Sequence, residues 1–265
     1  MPETKEGAGM KEKIIAGVVI ALAKPAFDVL AKLANWGIDQ ARKSPEAIKD
    51  FVIWWNGKTI AVIGATASGK NSFYDCLLEK DPPKEHIQTR GAEKVDSFTV
   101  KRNIQGLDTI ELRCKRSVNV GGEVDERIRY WPQACSDADF IFYLVDMERL
   151  NDPDLHDIYH SRIGDDLKWL GANLSKFKAG GKVHLLLNKI DKVLEIPSRV
   201  DNRREFIESE LNKHVAEMER RAKSIFDLNS SALSGVSPMC MVDKDLFNCL
   251  FDGALARIYS QEHPE

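Results

Sequence analysis

A glycine-rich turn between an apolar strand and a helix constrains the fold of this chain more than any other segment. Residues 58–78 read KTIAVIGATASGKNSFYDCLL, in which a β-branched apolar run precedes the turn and a helical apolar face follows it. Gly64 to Lys70 fits the pattern GxxxxGK, in which backbone N–H groups curl around phosphate oxygens and the following helix presents its positive end to the same anion. The sequence therefore predicts a phosphate-binding loop.

Each residue of this predicted loop has an expected role. Lys70 reaches the β and γ phosphates, whereas Asn71 stands where the pattern has a Ser or Thr hydroxyl that coordinates Mg²⁺. The amide oxygen of Asn71 is one bond further from the backbone, so we expect the ion to be displaced or lost. Ser72 points about 100° round the helix and is a poor substitute. The expected nucleotide contacts are Gly64, Ala65, Thr66, Ala67, Ser68, Gly69, Lys70, Asn71 and Ser72.

A second motif predicts the base. The apolar run at 182–187 predicts a buried strand, and Asn188-Lys189-Ile190-Asp191 follows it as NKxD. Asp191 can accept from guanine N1–H and N2–H₂, a donor pair that adenine does not present. Asn188 braces the loop and the stem of Lys189 covers the base. Guanine is therefore favoured over adenine.

A third segment, SSAL at 230–233, follows a charged helical run at 203–223. We expect a strand near 225–230 to deliver Ser231, Ala232 and Leu233 to the site, where a backbone N–H can reach guanine O6. This segment carries little information alone. Its order after GxxxxGK and NKID makes it supporting evidence.

Together these motifs resemble the Ras-like superfamily of small GTPases, closest to its Arf-like branch, over about residues 58–260. The segment 119–123 (NVGGE) and the segment 127–131 (RIRYW) are similar to that branch's DVGGQ with its following basic stretch and tryptophan. Residues 138–146 look like the family's fourth core strand. The resemblance implies GTP/GDP and Mg²⁺ as cofactors, and effector or regulator proteins bound through switch regions.

The resemblance also assigns residues to magnesium and catalysis. Thr89 occupies the place of a switch I threonine whose hydroxyl meets Mg²⁺, and Asn119 replaces an aspartate that holds the ion through water. Gly122 donates its N–H to the γ phosphate. Glu123 replaces the glutamine that orients the attacking water, and a carboxylate there is repelled by the γ phosphate unless protonated. The expected metal residues are Asn71, Thr89 and Asn119, and the expected catalytic residues are Lys70, Gly122 and Glu123.

Nucleotide binding and turnover receive separate predictions. The glycine loop and NKID are intact, so we expect guanine nucleotide binding with GDP favoured over GTP, and hydrolysis that is slow or absent without a partner. The leading hypothesis is a guanine-nucleotide switch. The alternative is a pseudo-GTPase scaffold that binds nucleotide constitutively or not at all, which Asn71, Asn119 and Glu123 favour. An ATP-using P-loop enzyme ranks last because it makes the NKID match accidental.

The predicted fold is α/β. We expect a doubly wound P-loop domain over 57–262, with a mostly parallel six-stranded sheet, helices on both faces and the nucleotide at the carboxyl ends of the strands. The second and third strands form an antiparallel hairpin through 103–108, as the family resemblance implies. The predicted strands lie near 58–63, 95–102, 108–118, 139–145, 182–187 and 225–230.

Residues 1–56 are predicted to form an amphipathic helical extension. The apolar run at 14–23 is too short to span a bilayer as a helix. Residues 11–40 suit contact with a membrane surface, with a partner protein or with the chain's own core, and periodicity does not separate these alternatives. Ser44-Pro45 opens a short helix toward Trp54 and Trp55, and Asn56-Gly57 marks the boundary.

Composition excludes several classes of protein. With 38 Lys plus Arg against 41 Asp plus Glu, the net charge of −3 argues against nucleic-acid binding. Five scattered cysteines without a CxxC pair give neither a disulfide framework nor a zinc site, and they suit a cytoplasmic location, peripheral to a membrane if residues 11–40 bind lipid. The acidic segment 146–156 is predicted to be a solvated loop rather than a metal site.

Overall fold

The computed structural model describes residues 45–80, 92–95, 98–103, 109–114, 117–120, 124–196, 203–226 and 231–263. The predictions for the extension up to residue 44, and for Thr89, Gly122 and Glu123, lie outside the described residues. Every helix in the described ranges is too short or too polar to cross a membrane.

The described chain alternates strands with helices. The strands are β1 Ile60–Gly64, β2 Ala92–Val95, β3 Phe98–Asn103, β4 Thr109–Cys114, β5 Ser117–Val120, β6 Phe140–Asp146, β7 Lys182–Asn188 and β8 Leu233–Pro238. The α-helices are α1 Pro45–Trp55, α2 Lys70–Leu77, α3 Val124–Ser136, α4 Met147–Asn151, α5 His156–Asn173, α6 Arg203–Ile225 and α7 Lys244–Glu262.

The main sheet has the order β2-β5-β1-β6-β7-β8. Strands β5, β1, β6, β7 and β8 pair in parallel, and β2 pairs with β5 antiparallel. Parallel neighbours need crossover connections, which the helices between them supply. The predicted α/β class with a parallel sheet is therefore confirmed.

Helices cover both faces of the sheet. Side chains alternate between the two faces along a strand. Phe142 of β6 packs against Phe73 of α2 and Phe251 of α7. The next residue, Tyr143, faces the opposite side and packs against Trp131 of α3. The long apolar strands are thus buried from both sides, as parallel sheets require.

The two strands predicted at 95–102 and 108–118 are each divided in two. Val95 lies opposite Ser117 in the main sheet, whereas Phe98 lies opposite Cys114 in a separate two-stranded sheet of β3 and β4. The antiparallel pairing that was predicted is therefore present. It is shared between two sheets rather than confined to one.

The strand predicted at 225–230 is wrong. Helix α6 continues to Ile225, and the strand that pairs with β7 is Leu233–Pro238. The segment LSGVSP contains residues that are depleted in strands, yet all six are buried between neighbouring elements. Burial in the sheet outweighs the weak strand propensity of these residues.

Helix α1 packs into the core even though it precedes the predicted boundary at 56/57. Trp55 is fully buried and stacks on Phe140 of β6, with ring centroids 5.3 Å apart. Trp54 Nε1 donates to Glu262 Oε2 of α7 at 2.6 Å. The packing of the domain therefore begins within α1.

A buried carboxylate joins three elements on the α3 side of the sheet. Asp166 of α5 accepts from Arg127 Nη1 of α3 at 2.6 Å and from Tyr143 Oη at 2.9 Å. Arg162 Nε donates to the same carboxylate at 2.8 Å. Burial and the neighbouring Asp166 raise the pKa of Tyr143 well above its ordinary value. This cluster fixes α3, the helix that follows the predicted switch II segment, against the core.

Candidate nucleotide-binding site

Four strand ends meet at one edge of the main sheet. The carboxyl ends of β1, β6, β7 and β8 carry Gly64, Asp146, Asn188 and Pro238 to this edge. The register places Asp146 opposite Asn188 and Gly64 opposite Leu144. Open α/β sheets bind ligands outside the carboxyl ends of their strands. The glycine loop and the NKID segment therefore lie together where such a ligand binds.

The two glycines of the loop cannot be replaced without displacing their neighbours. Gly64 has φ 144° and Gly69 has φ 98°, conformations that side chains rarely adopt. A Cβ on Gly64 would lie 2.6 Å from Leu144 O, and a Cβ on Gly69 would lie 2.4 Å from Asn188 Nδ2. Both backbone conformation and close approach explain why the sequence has glycine here.

Lys70 begins α2, and its side chain turns back into the loop. Its Nζ donates to Gly64 O at 3.2 Å and to Ala65 O at 2.9 Å. The residue is only 6% exposed, so these carbonyls compensate for the lost hydration of the ammonium group. The geometry places a positive charge inside the loop, where it can reach an anion.

Asn71 and Ser72 lie in the first turn of α2 and are half-buried. Asn119 belongs to β5 and lies opposite Val62 of β1, on the strand next to the loop. The described residues contain no cluster of three or more metal-ligating side chains. Mg²⁺ is usually held by one or two carboxylates with waters and substrate phosphates, and in phosphate loops by a Ser or Thr hydroxyl. Asn71 and Asn119 offer neutral amide oxygens instead, so they do not fit that pattern.

Asn188 is hydrogen-bonded to the glycine loop. Its Nδ2 donates to Ser68 O at 2.9 Å. Ser68 Oγ and Asn188 Oδ1 are both buried and have no hydrogen-bond partner among the described residues. Buried polar atoms of this kind are normally satisfied by a ligand or an ordered water. The junction between the two loops therefore retains polar groups able to bind a ligand.

Lys189 has φ 61° and directs its ammonium group toward the end of β6. Its Nζ lies 2.7 Å from Asp146 Oδ2 and 3.2 Å from Glu148 Oε2. Asp146 is fully buried and caps α4 by accepting from Arg149 N. The expectation of a solvated loop is therefore wrong for Asp146. Asp146 is a polar residue that ends an apolar strand, as Asn188 is. That pattern is the sequence signal that could have placed Asp146 at the candidate site.

Asp191 lies in a short 3₁₀ helix, Ile190–Lys192, directly after β7. Cys240 Sγ is 3.7 Å from Asp191 Oδ1. Burial raises the pKa of Cys240 to about 11, so the thiol stays protonated at neutral pH. Cys76 Sγ of α2 donates to Met241 O at 3.5 Å. The segment after β8 thus borders both the base motif and the helix of the glycine loop.

The assignment of Ser231, Ala232 and Leu233 to this edge is wrong. Leu233 begins β8 and lies opposite Val183, at the amino end of β7. Lys182 Nζ donates to Ser231 O at the same end of the sheet. The segment that reaches the site is instead the one after Pro238, which sequence reasoning missed because it placed the strand eight residues too early. That segment is Met239, Cys240 and Met241.

The sequence matches no family model and no curated protein sequence.

Proposed function

We propose that this chain is a guanine-nucleotide-binding protein with a doubly wound, six-stranded P-loop domain of the small-GTPase type. The hydrogen bond from Asn188 Nδ2 to Ser68 O carries the proposal, because it joins the predicted phosphate loop to the predicted base motif. A ligand that spans the two loops needs phosphates at one end and a base at the other. A nucleotide has that shape.

The phosphate end of the proposed site uses backbone and lysine. The N-terminus of α2 provides N–H groups and the positive end of a helix dipole. Lys70 adds a charge inside the loop. These contacts do not require a metal ion, so we propose that GDP binds even where Mg²⁺ is held weakly.

The base end of the proposed site uses Asp191. A carboxylate that accepts from N1–H and N2–H₂ selects guanine over adenine, because adenine lacks that donor pair. Cys240, in the segment after β8, lies 3.7 Å from Asp191 Oδ1 and so borders this position. We propose that GDP is favoured over GTP, because Asn71 and Asn119 offer no carboxylate or hydroxyl oxygen to a Mg²⁺ ion that would offset the γ-phosphate charge.

A second candidate is a pseudo-GTPase scaffold, in which the nucleotide is a fixed structural part. The anchoring of α3 through Arg127 and Asp166 favours it, because the helix after the predicted switch II is tied to buried groups. A switch needs an element with two arrangements. Effector or regulator proteins then bind one fixed surface rather than a nucleotide-dependent one.

The first experiment denatures the purified protein, identifies any released nucleotide, and titrates the stripped protein with GDP, GTP and ATP, with and without Mg²⁺. Binding of GDP and GTP but not ATP supports the proposal. A strong Mg²⁺ effect on GTP affinity supports the switch over the scaffold. Binding of ATP in preference to GDP, or of no nucleotide, contradicts a guanine site.

A variant of Asp191 tests the base assignment directly. Asp191→Asn replaces one acceptor by a donor, so GDP affinity should fall about a hundredfold. Xanthosine diphosphate should bind more tightly than to the natural chain, because its C2 carbonyl accepts from the new amide. Glu195→Gln, an equal charge change at an exposed residue nearby, is the control. Equal losses in both variants would reject Asp191 as the base contact.

We propose that the amphipathic run at 11–40 delivers this cytoplasmic domain to a membrane surface or a partner protein. Flotation with anionic vesicles compares the full chain with a chain that begins at Lys43. If the full chain floats with the vesicles and the shortened chain does not, the result supports binding to a membrane surface. Equal flotation of the two chains rejects it.

A further inference from the structure

Arg149 connects the end of β6 to the glycine loop. Its Nη1 donates to Thr66 O at 2.9 Å, although the two residues are 83 positions apart in the sequence. Its backbone N donates to Asp146 Oδ1 at 3.3 Å, and its Nε lies 3.7 Å from Asp146 Oδ2. The guanidinium group is therefore held by a buried carboxylate on one side and by the loop on the other.

Asp146 also holds Lys189 of the base motif, whose Nζ lies 2.7 Å away. One buried carboxylate thus orients two cations from different segments. Lys189 precedes the candidate base contact Asp191 by two residues, and Arg149 contacts the loop at Thr66. A shift of Asp146 would move both contacts together.

The bond to Thr66 O fixes the direction of the next N–H group. The described residues contain no cis peptide bond, so Thr66 C=O and Ala67 N–H point in opposite directions across one planar unit. Arg149 holds the carbonyl on its own side, which turns the Ala67 N–H away from Arg149. Ala67 has φ 63°, a conformation that is unfavourable for alanine without external support.

We propose that Arg149 is a positioning residue for nucleotide binding, which holds the Thr66–Ala67 peptide so that the Ala67 N–H faces the phosphates. The inference rests on the proposed function of the glycine loop. An N–H aimed in advance at an anion needs no reorganisation when the ligand binds. An arginine suits the role because its guanidinium group stays charged and offers several donors in a fixed plane.

Arg149→Gln tests the proposal. We expect the affinity for GDP to fall about tenfold, because a charge-assisted hydrogen bond to the loop is lost. Inosine diphosphate, which lacks the guanine N2–H₂, should lose the same factor, since Arg149 does not act on the base. Arg220→Gln makes the same charge change at an exposed position of α6 and should leave GDP affinity unchanged.

A second substitution separates positioning from a general loss of structure. Glycine adopts positive φ without the steric cost that alanine carries. Ala67→Gly should therefore restore part of the GDP affinity in the Arg149→Gln background, while near-UV circular dichroism shows that both variants are folded. Arg149→Gln with GDP affinity within twofold of the natural chain would overturn the proposal. The proposal would also be overturned if Arg149→Gln lowered GDP affinity by the same factor with and without the Ala67→Gly change.

The two proposals fail in different ways. If the natural chain binds no guanine nucleotide, the proposed function fails and the role of Arg149 fails with it. If the natural chain binds GDP and Arg149→Gln binds it equally well, only the positioning role is rejected. Calorimetric titration of the full chain with GDP and inosine diphosphate reports both results.

Discussion

Asn188 Nδ2 donates to Ser68 O across 2.9 Å and links two segments that are 120 residues apart. Gly69, the next residue along, leaves only enough room for this amide, because a Cβ there would lie 2.4 Å from it. The hydrogen bond and the glycine therefore depend on each other. The binding of any ligand to the glycine loop therefore also depends on the position of Asn188 at the end of β7.

Gly69→Ala should displace Asn188 and strain a backbone with φ 98°. We expect the free energy of unfolding to fall by about 2–4 kcal/mol, since overpacking and a positive φ act together. GDP binding should be lost as well. Urea unfolding and calorimetry measure the two effects.

Gly180→Ala is the matched control for that substitution. Gly180 has φ 79°, and a Cβ added there would meet nothing within 4 Å, so only backbone strain remains. The free energy of unfolding should fall by about 1 kcal/mol, and GDP affinity should not change. Comparable losses in the two variants would show that the contact with Asn188 is unimportant.

Asp166→Asn should destabilise the fold by about 3 kcal/mol, because two largely buried arginines lose their counter-charge. The side chains of Arg127 and Arg162 are only 14% and 18% exposed, so water compensates poorly for the lost carboxylate charge. Tyr143→Phe removes a single neutral donor to the same carboxylate and should cost about 1 kcal/mol. Denaturant titration of both variants measures the free energy of unfolding that each substitution removes. A smaller loss for Asp166→Asn than for Tyr143→Phe contradicts the charge argument.

His184 makes the stability depend on pH. It is fully buried against Ser234 and Ser237, and burial lowers its pKa to about 3. Between about pH 6.5 and pH 3 the unfolded chain binds a proton that the native chain does not, so stability is lost as the pH falls, by about 1.4 kcal/mol per pH unit. The stabilising contribution is fully present above the unfolded pKa.

The pH test compares the natural chain with His184→Gln by urea unfolding between pH 4 and pH 7. The difference in stability should shrink steadily toward low pH, because only the natural chain gains a proton on unfolding at this site. His156→Gln, at a half-exposed histidine, is the control. A pH-independent difference for His184→Gln would mean that His184 titrates alike in both states.

Trp55→Ala tests whether α1 belongs to the domain. Trp55 is fully buried against Phe140, so its removal should cost about 3–5 kcal/mol. Ile53→Ala lies on the same helix at 62% exposure and should change stability by less than about 0.5 kcal/mol. Thermal unfolding of the two variants measures the difference in stability. Equal melting temperatures would show that α1 is dispensable.

The sequence predicts those parts of the fold in which local signals and tertiary position agree. At β1 the apolar run, the glycine turn and the amphipathic helix all indicate the same strand–loop–helix unit, and the structure has it at 60–77. At β7 the run before Asn188 is long, apolar and ended by a polar residue. A local prediction is reliable when the local sequence signals agree with the position of the segment in the tertiary structure.

The site could be predicted only where its residues stand in a motif. Asp146 and Arg149 belong to no motif, and their role follows from the register that places Asp146 opposite Asn188. The strand β8 was missed because Ser, Gly and Pro dominate it, and only its burial beside β7 makes it a strand. Information of this kind lies in the pairing of distant segments and not in a local pattern.

The contact between Trp54 Nε1 and Glu262 Oε2 brings the first and last described helices side by side. Pro45 lies nine residues before Trp54 on α1, about 14 Å away at the rise of an α-helix. A linker of about six residues could therefore join position 263 to position 45. A circularly permuted chain opened at the exposed Ala179-Gly180 turn would keep every strand neighbour of the sheet, with new ends between β6 and β7.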